Sequence, residues 1–211
     1  MATVTKLSRA KRGPGKAHRI DLELDGEQFG VIHENIVAEF LLFAGKELTR
    51  DDLAAVEHRS MQLDALAFCH ASIARRAQTR HELAGKLHDR GLAPDVVEAA
   101  LVRCEELGLV NDDHYARSYV TSRLGRGHGP HRIRHDLAGR GIAALTIAAA
   151  IEAGTDAVST EDACRIALEK KYRNFDLSDP AVAGKASRFL QRRGFSYADI
   201  SAAMRSMRPT S

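Results

Sequence analysis

LAGKLHDRGLAPDVVEAAL, residues 83–101, decides the fold, because the chain repeats its pattern twice more. Apolar Leu83 and Leu87 lie one helical turn apart, Arg90-Gly91-Leu92 interrupts, and Pro94 opens a segment with Val97, Ala100 and Leu101 at helical spacing. Ile133, Leu137, Arg140-Gly141-Ile142, Ile147, Ala150 and Ile151 follow in the same register. So do Ala186, Leu190, Arg193-Gly194-Phe195, Ile200, Ala203 and Met204. The pairs Leu87/Gly91, Leu137/Gly141 and Leu190/Gly194 mark the structural repeat. The glycines fall about 50 residues apart, the period of repeated helical units. Each copy reads as a helix, a glycine stop and a second helix, so the body is a helical array.

Working outward, a helix with Leu63, Leu66, Ala67, His70, Ile73 and Ala74 on one stripe precedes the first copy, and His70 reads as a hydrogen-bonded core histidine. Thr79-Arg80-His81-Glu82 has capping-box spacing, and Pro94 suits a first helical turn. The second copy is preceded by a helix opened by Asp112 with Tyr115, Ala116, Tyr119 and Val120 inward. The third is preceded by one running from Ser159-Thr160 to Tyr172. Ser196 with Asp199 caps the last helix. The expected architecture is mainly α: three tandem three-helix repeats in an elongated array, covering 61–111, 112–158 and 159–211. A small β-hairpin or short sheet plus helices precedes them over 17–60, after a β-prone segment and basic linker over 1–16. In that region Ile20, Leu22 and Leu24 alternate with charges, Asp25-Gly26 suits a two-residue hairpin turn, and Gln28–Ile32 returns. Thr3–Lys6 offers a third strand. A helix over Glu34–Phe43 and another over Asp51–His58, bending near Ser60, complete the reading.

No run approaches the roughly 18 apolar residues of a membrane span, and no signal-peptide pattern opens the chain, so a cytoplasmic protein without a membrane partner is expected. Cys69, Cys104 and Cys164 are far apart with no Cys-x-x-Cys, and read as reduced thiols filling the core. The net charge is +3, but it is unevenly spread. Residues 21–60 carry ten acids against Lys46, Arg50 and Arg59. Residues 111–150 carry six arginines and four histidines against Asp112, Asp113 and Asp136. Alternating signs suit a polyanion on some faces and protein on others.

No catalytic constellation stands out: there is no phosphate loop of the Gly-x-x-x-x-Gly-Lys-Ser/Thr type and no nucleophile elbow. Gly125–Gly129 superficially resembles a phosphate cradle, but no β-prone run precedes it. His128, His131 and His135 have no nearby cysteine, so neither a cofactor nor a metal is expected. The positive signal is guanidinium, which grips phosphate or carboxylate in a planar fork. Arg90, Arg140 and Arg193, each just before its glycine, read as complements to their own helix C-terminal dipoles. Arg75, Arg76, Arg80, Arg123, Arg126, Arg132 and Arg134, with His128 and His131, read as the contact surface.

The ordered set of motifs resembles the RecX family of regulatory proteins. Ala74-Arg75-Arg76 with Thr79 and Glu82-Leu83, Leu87 with Arg90-Gly91, and Glu106-Leu107-Gly108-Leu109-Val110-Asn111-Asp112 followed by Tyr115-Ala116 carry it. Gly129-Pro130 with Arg132-Ile133 and Leu137, and Phe189-Leu190 through Arg193-Gly194-Phe195-Ser196, extend it to most of residues 63–207. The chain departs at His128, where the family usually has a fixed cation, and at Ala143–Ile147, which lacks a charge common there. A histidine at 128 would strengthen the contact in acid. The resemblance implies a non-enzymatic protein that binds the RecA nucleoprotein filament; non-specific single- or double-stranded DNA is the other partner expected, and a monomer the expected state. It further implies restraint of ATP hydrolysis and strand exchange in homologous recombination, DNA repair and the SOS response. The alternative is a sequence-independent DNA-binding helical module acting without RecA.

Overall fold

A computed structural model describes residues 1–10 and 18–207. The basic linker read over Ala10–Lys16 lies, beyond Ala10, outside the described residues. The chain divides into two compact units: Met1–Arg76 with Leu83–Leu109, and Ala77–Glu82 with Val110–Ser211.

The first unit begins with a four-stranded antiparallel sheet. Strands β1 (Ala2–Arg9), β2 (Arg19–Leu24), β3 (Glu27–His33) and β4 (Glu47–Leu48) lie in the order β3-β2-β1-β4. The β2–β3 hairpin pairs Ile20 with Ile32 and Leu22 with Gly30. Its turn has Asp25 at φ 51° and Gly26 at φ 87°, the left-handed pair that matches strand twist. The third strand expected from Thr3–Lys6 is present and longer, pairing Leu7 with Leu22 and Arg9 with Ile20. Alternation puts Val4, Leu22, Leu24 and Ile32 on one buried face against Ile36, Leu42, Leu48 and Val56.

Two helices differ from expectation. Helix α1 (Glu34–Glu39) is shorter than Glu34–Phe43, because Leu41 turns to φ 49° and Leu42 drops into the core. Helix α2 (Arg50–Ile73) is a single 24-residue helix with no bend at Ser60. No glycine or proline interrupts it, so nothing removes a ladder hydrogen bond. Thr49 and Asp52 form its reciprocal capping box, the Asp52 N–H donating to Thr49 Oγ1 at 3.1 Å and the Thr49 N–H to Asp52 Oδ2 at 2.8 Å. Its buried residues are Val56, Ala65, Cys69 and Ser72, whereas His70 is exposed. The stripe drawn through His70 was therefore rotated from the true inner face.

The repeats are α2, α3 (Arg80–His88) and α4 (Pro94–Glu106); α5 (Asp112–Leu124), α6 (Pro130–Ala138) and α7 (Ala144–Ala157); α8 (Thr160–Tyr172), α9 (Pro180–Arg192) and α10 (Tyr197–Ser206). Every middle helix closes in the same way. The N–H groups of Leu92, Ile142 and Phe195 donate to the carbonyls of Leu87, Leu137 and Leu190, and Gly91, Gly141 and Gly194 occupy the left-handed C-terminal position. All three leucines are fully buried, each worth about 1.5–3 kcal/mol relative to exposure. The second unit has a continuous core from Ala116 and Val120 on α5 through Ile147 and Ala150 on α7 to Leu168, Leu190 and Ala203.

Candidate polyanion-binding surface

The second unit is held by arginine–glycine seams. Arg140, at the end of α6, pairs with Glu82 on α3 at 2.6 Å and stacks over Tyr119 at 5.3 Å. Its carbonyl accepts from the Thr79 hydroxyl at 2.8 Å. Arg193, one repeat later, donates to the carbonyls of Arg126 and Gly127 at 3.0 and 2.9 Å, and lies over Phe189. Its own carbonyl accepts from the Gly129 N–H at 2.8 Å. The middle-helix terminus of each later repeat thus docks on the start of the preceding middle helix. Of the three arginines read as complements to their own helix ends, only Arg90 donates to a carbonyl of its own helix among the described residues, that of Lys86, while stacking on Phe68 at 3.6 Å. Arg140 and Arg193 donate their guanidinium groups across to other elements and are half-buried, whereas Arg90 is exposed.

The seams also explain the glycine-rich loop. A Cβ on Gly127, which sits at φ 73°, would fall 2.8 Å from the Ala167 Cβ of α8, and one on Gly129 would fall 2.4 Å from Gly194. These glycines allow backbones to approach closely; a cradle for phosphate is not what they build.

The sequence-predicted contact residues divide into four groups. Arg75 and Arg76 are exposed after α2, in the first unit. Arg80 is half-buried at the start of α3, its N–H donating to Asp112 Oδ1 at 3.0 Å. Arg123, His128 and Arg132 surround the seam. Arg123 lies over Tyr119 at 4.8 Å, and Arg132 pairs with Asp136 at 2.9 Å. His128 is half-buried, and its Nδ1 is buried without a hydrogen-bond partner among the described residues. Burial first, then the Arg193 and Arg123 charges, push its pKa below the ordinary histidine range, Asp136 opposing and Arg132 adding to the effect. Its protonation is therefore deferred to more acid conditions than a free histidine would need. Arg126, His131 and Arg134 are exposed and project cationic or potentially cationic groups to solvent. The joining role of Arg140 and Arg193 was missed; the signal was their identical place in the repeat.

This geometry defines a tandem three-helix-repeat protein with arginine–glycine seams inside its second unit and further exposed cations. Three family models match it in order: the first three-helix domain of RecX over residues 65–104, the second over 111–151 and the third over 159–204. The chain belongs to the RecX family. A Regulatory protein RecX from Pseudomonas fluorescens is 36% identical over 152 residues, 72% of this chain and 90% of that one. Another, from Chromohalobacter salexigens, is 36% identical over 63% of this chain and 85% of its own. A crystal structure of regulatory protein RecX superposes with a TM-score of 0.75 at 25% identity, covering 96% of this chain and 98% of that one. Among the described residues, no helix is long and apolar enough to cross a membrane.

Proposed function

We propose that this protein binds RecA–DNA filaments in the cytoplasm and restrains their ATPase and strand-exchange activity, by binding and without turnover of its own. The observation that carries the reading is the ordered match of all three repeats to RecX domains. The physical features support it. Repeats covering 61–111, 112–158 and 159–211 offer several modest contacts, which reinforce one another through effective concentration when the partner is itself periodic. Arg75, Arg76, Arg126, His131 and Arg134 are exposed and suit DNA phosphates or acidic filament surfaces. Arg123, His128 and Arg132 contribute more by shaping the seam than by presenting charge. Restraint then needs only tighter binding to one filament state than to the other.

The test is the DNA-dependent ATPase of RecA measured against added protein. Turnover should fall as protein is added, and an Arg126→Gln/Arg134→Gln variant should require several-fold more protein for the same effect. An ATPase rate indifferent to the wild-type protein would remove the reading.

A further inference from the structure

Helix α9, the middle helix of the third repeat, carries the least neutralised positive face in the second unit. Lys185, Arg188 and Arg192 are spaced i, i+3, i+7, which places them on one side. All three are exposed, and among the described residues none has an ion-pair partner. Between Pro180 and Arg192 there is no acid. The nearest ones, Asp176 and Asp179, precede the helix and accept hydrogen bonds from local backbone, at the Ser178 and Ala181 N–H groups. The opposite face, Ala186, Phe189 and Leu190, is buried in the core.

We infer that this face of α9 is a contact for the phosphate backbone of a nucleic acid. The inference rests on the DNA-binding part of the function proposed above and names a surface for it that the middle-repeat arginines do not include. Seven residues of helix span about 10 Å, against one phosphate per roughly 3.4 Å of axis on each DNA strand. The three long cationic side chains, spread over that span, can each reach a separate phosphate. Beside them stand Ala181 and Gly184, too small to hold a backbone away, and Gln191, a neutral donor. The face has no exposed aromatic or aliphatic anchor of the kind that dominates protein interfaces. A membrane surface is disfavoured too, because the apolar side of α9 is already spent in the core. On α6, by contrast, Arg132 is already paired with Asp136.

The measurement is fluorescence anisotropy of a labelled 30-base-pair duplex, without RecA, across a salt series. It compares the full-length protein with Lys185→Gln/Arg188→Gln/Arg192→Gln and, as comparator, Arg126→Gln/Arg134→Gln. The triple variant should lower the slope of log K against log salt by about 2.7, near 0.9 for each lost contact. Circular dichroism should show an unchanged melt, since the altered side chains are exposed; Arg188→Gln alone, with a slope loss of about 0.9, serves if the triple variant folds poorly. An unchanged slope, or a wild-type protein that does not bind the duplex, overturns the assignment. Binding to RecA–DNA filaments measured alongside separates the two readings. Wild-type filament binding that survives without any affinity for bare duplex leaves the proposed function standing and removes α9 as a DNA contact. Loss confined to filaments, with duplex binding intact, assigns the face to protein and likewise overturns it.

Discussion

At the scale of single residues, the same chemical type does different work according to what surrounds it. Arg140 and Arg193 stand at equivalent places in the repeat, yet one grips a carboxylate and the other two carbonyls. His128 shows the effect on a proton. Its folded-state pKa is depressed by burial and by Arg193 and Arg123, whereas in an unfolded chain it titrates near ~6.5. Between those two values the unfolded chain binds more protons than the folded one, so stability falls as pH drops below about 6.5. The loss is complete once the folded-state pKa is passed. His33, lowered by burial and then Arg19, acts in the same sense within the first unit. Urea unfolding at pH 7.5 and 5.0 should show the wild type weaker in acid, with a smaller difference for His128→Gln; an identical difference in the variant would refute this account. The expectation that His128 strengthens binding in acid therefore applies only at a pH below the ordinary histidine range.

At the scale of elements, the start and stop signals were largely legible. Ser196 with Asp199, Pro94, Pro130 and the three Arg-Gly stops all lie where local chemistry alone places them. The failures were at α1 and α2. Leu41 enters the left-handed region because burying Leu42 outweighs local preference, and α2 runs straight through Ser60, where a bend is expected from the sequence. Equivalent glycines, moreover, are not equally replaceable. Alanine at Gly91 meets open space and bears only the left-handed penalty, about 1–2 kcal/mol. At Gly141 the new Cβ falls 2.3 Å from the Cβ of His81, and at Gly194 2.3 Å from the backbone nitrogen of Arg132. Overpacking adds about 1–3 kcal/mol at each. Thermal unfolding should rank Gly194→Ala as most damaging, then Gly141→Ala, then Gly91→Ala; equal losses would mean the seams yield without cost.

At the scale of the whole molecule, the cysteines report how completely each unit closes. Cys69, Cys104 and Cys164 are all free and buried. Desolvation pushes Cys69 and Cys164 up to about 12 and raises Cys104 as well. Thiolate is the reactive form, so the native protein should leave all three unreacted toward a disulfide reagent over minutes and release three equivalents once denatured. A fast-reacting thiol in native protein would show that one unit opens. Reduced core cysteines were readable from composition and spacing.

The sequence by itself determined the class of the fold, the repeat count and the family, because helical periodicity, glycine stops and caps act over a few residues and recur in register. Only the tertiary structure decided which arginines remain outward. Whether a guanidinium faces solvent or is consumed by a carboxylate such as Glu82, or by a carbonyl such as that of Gly127, depends on partners far away in the chain, and no local pattern encodes that distance.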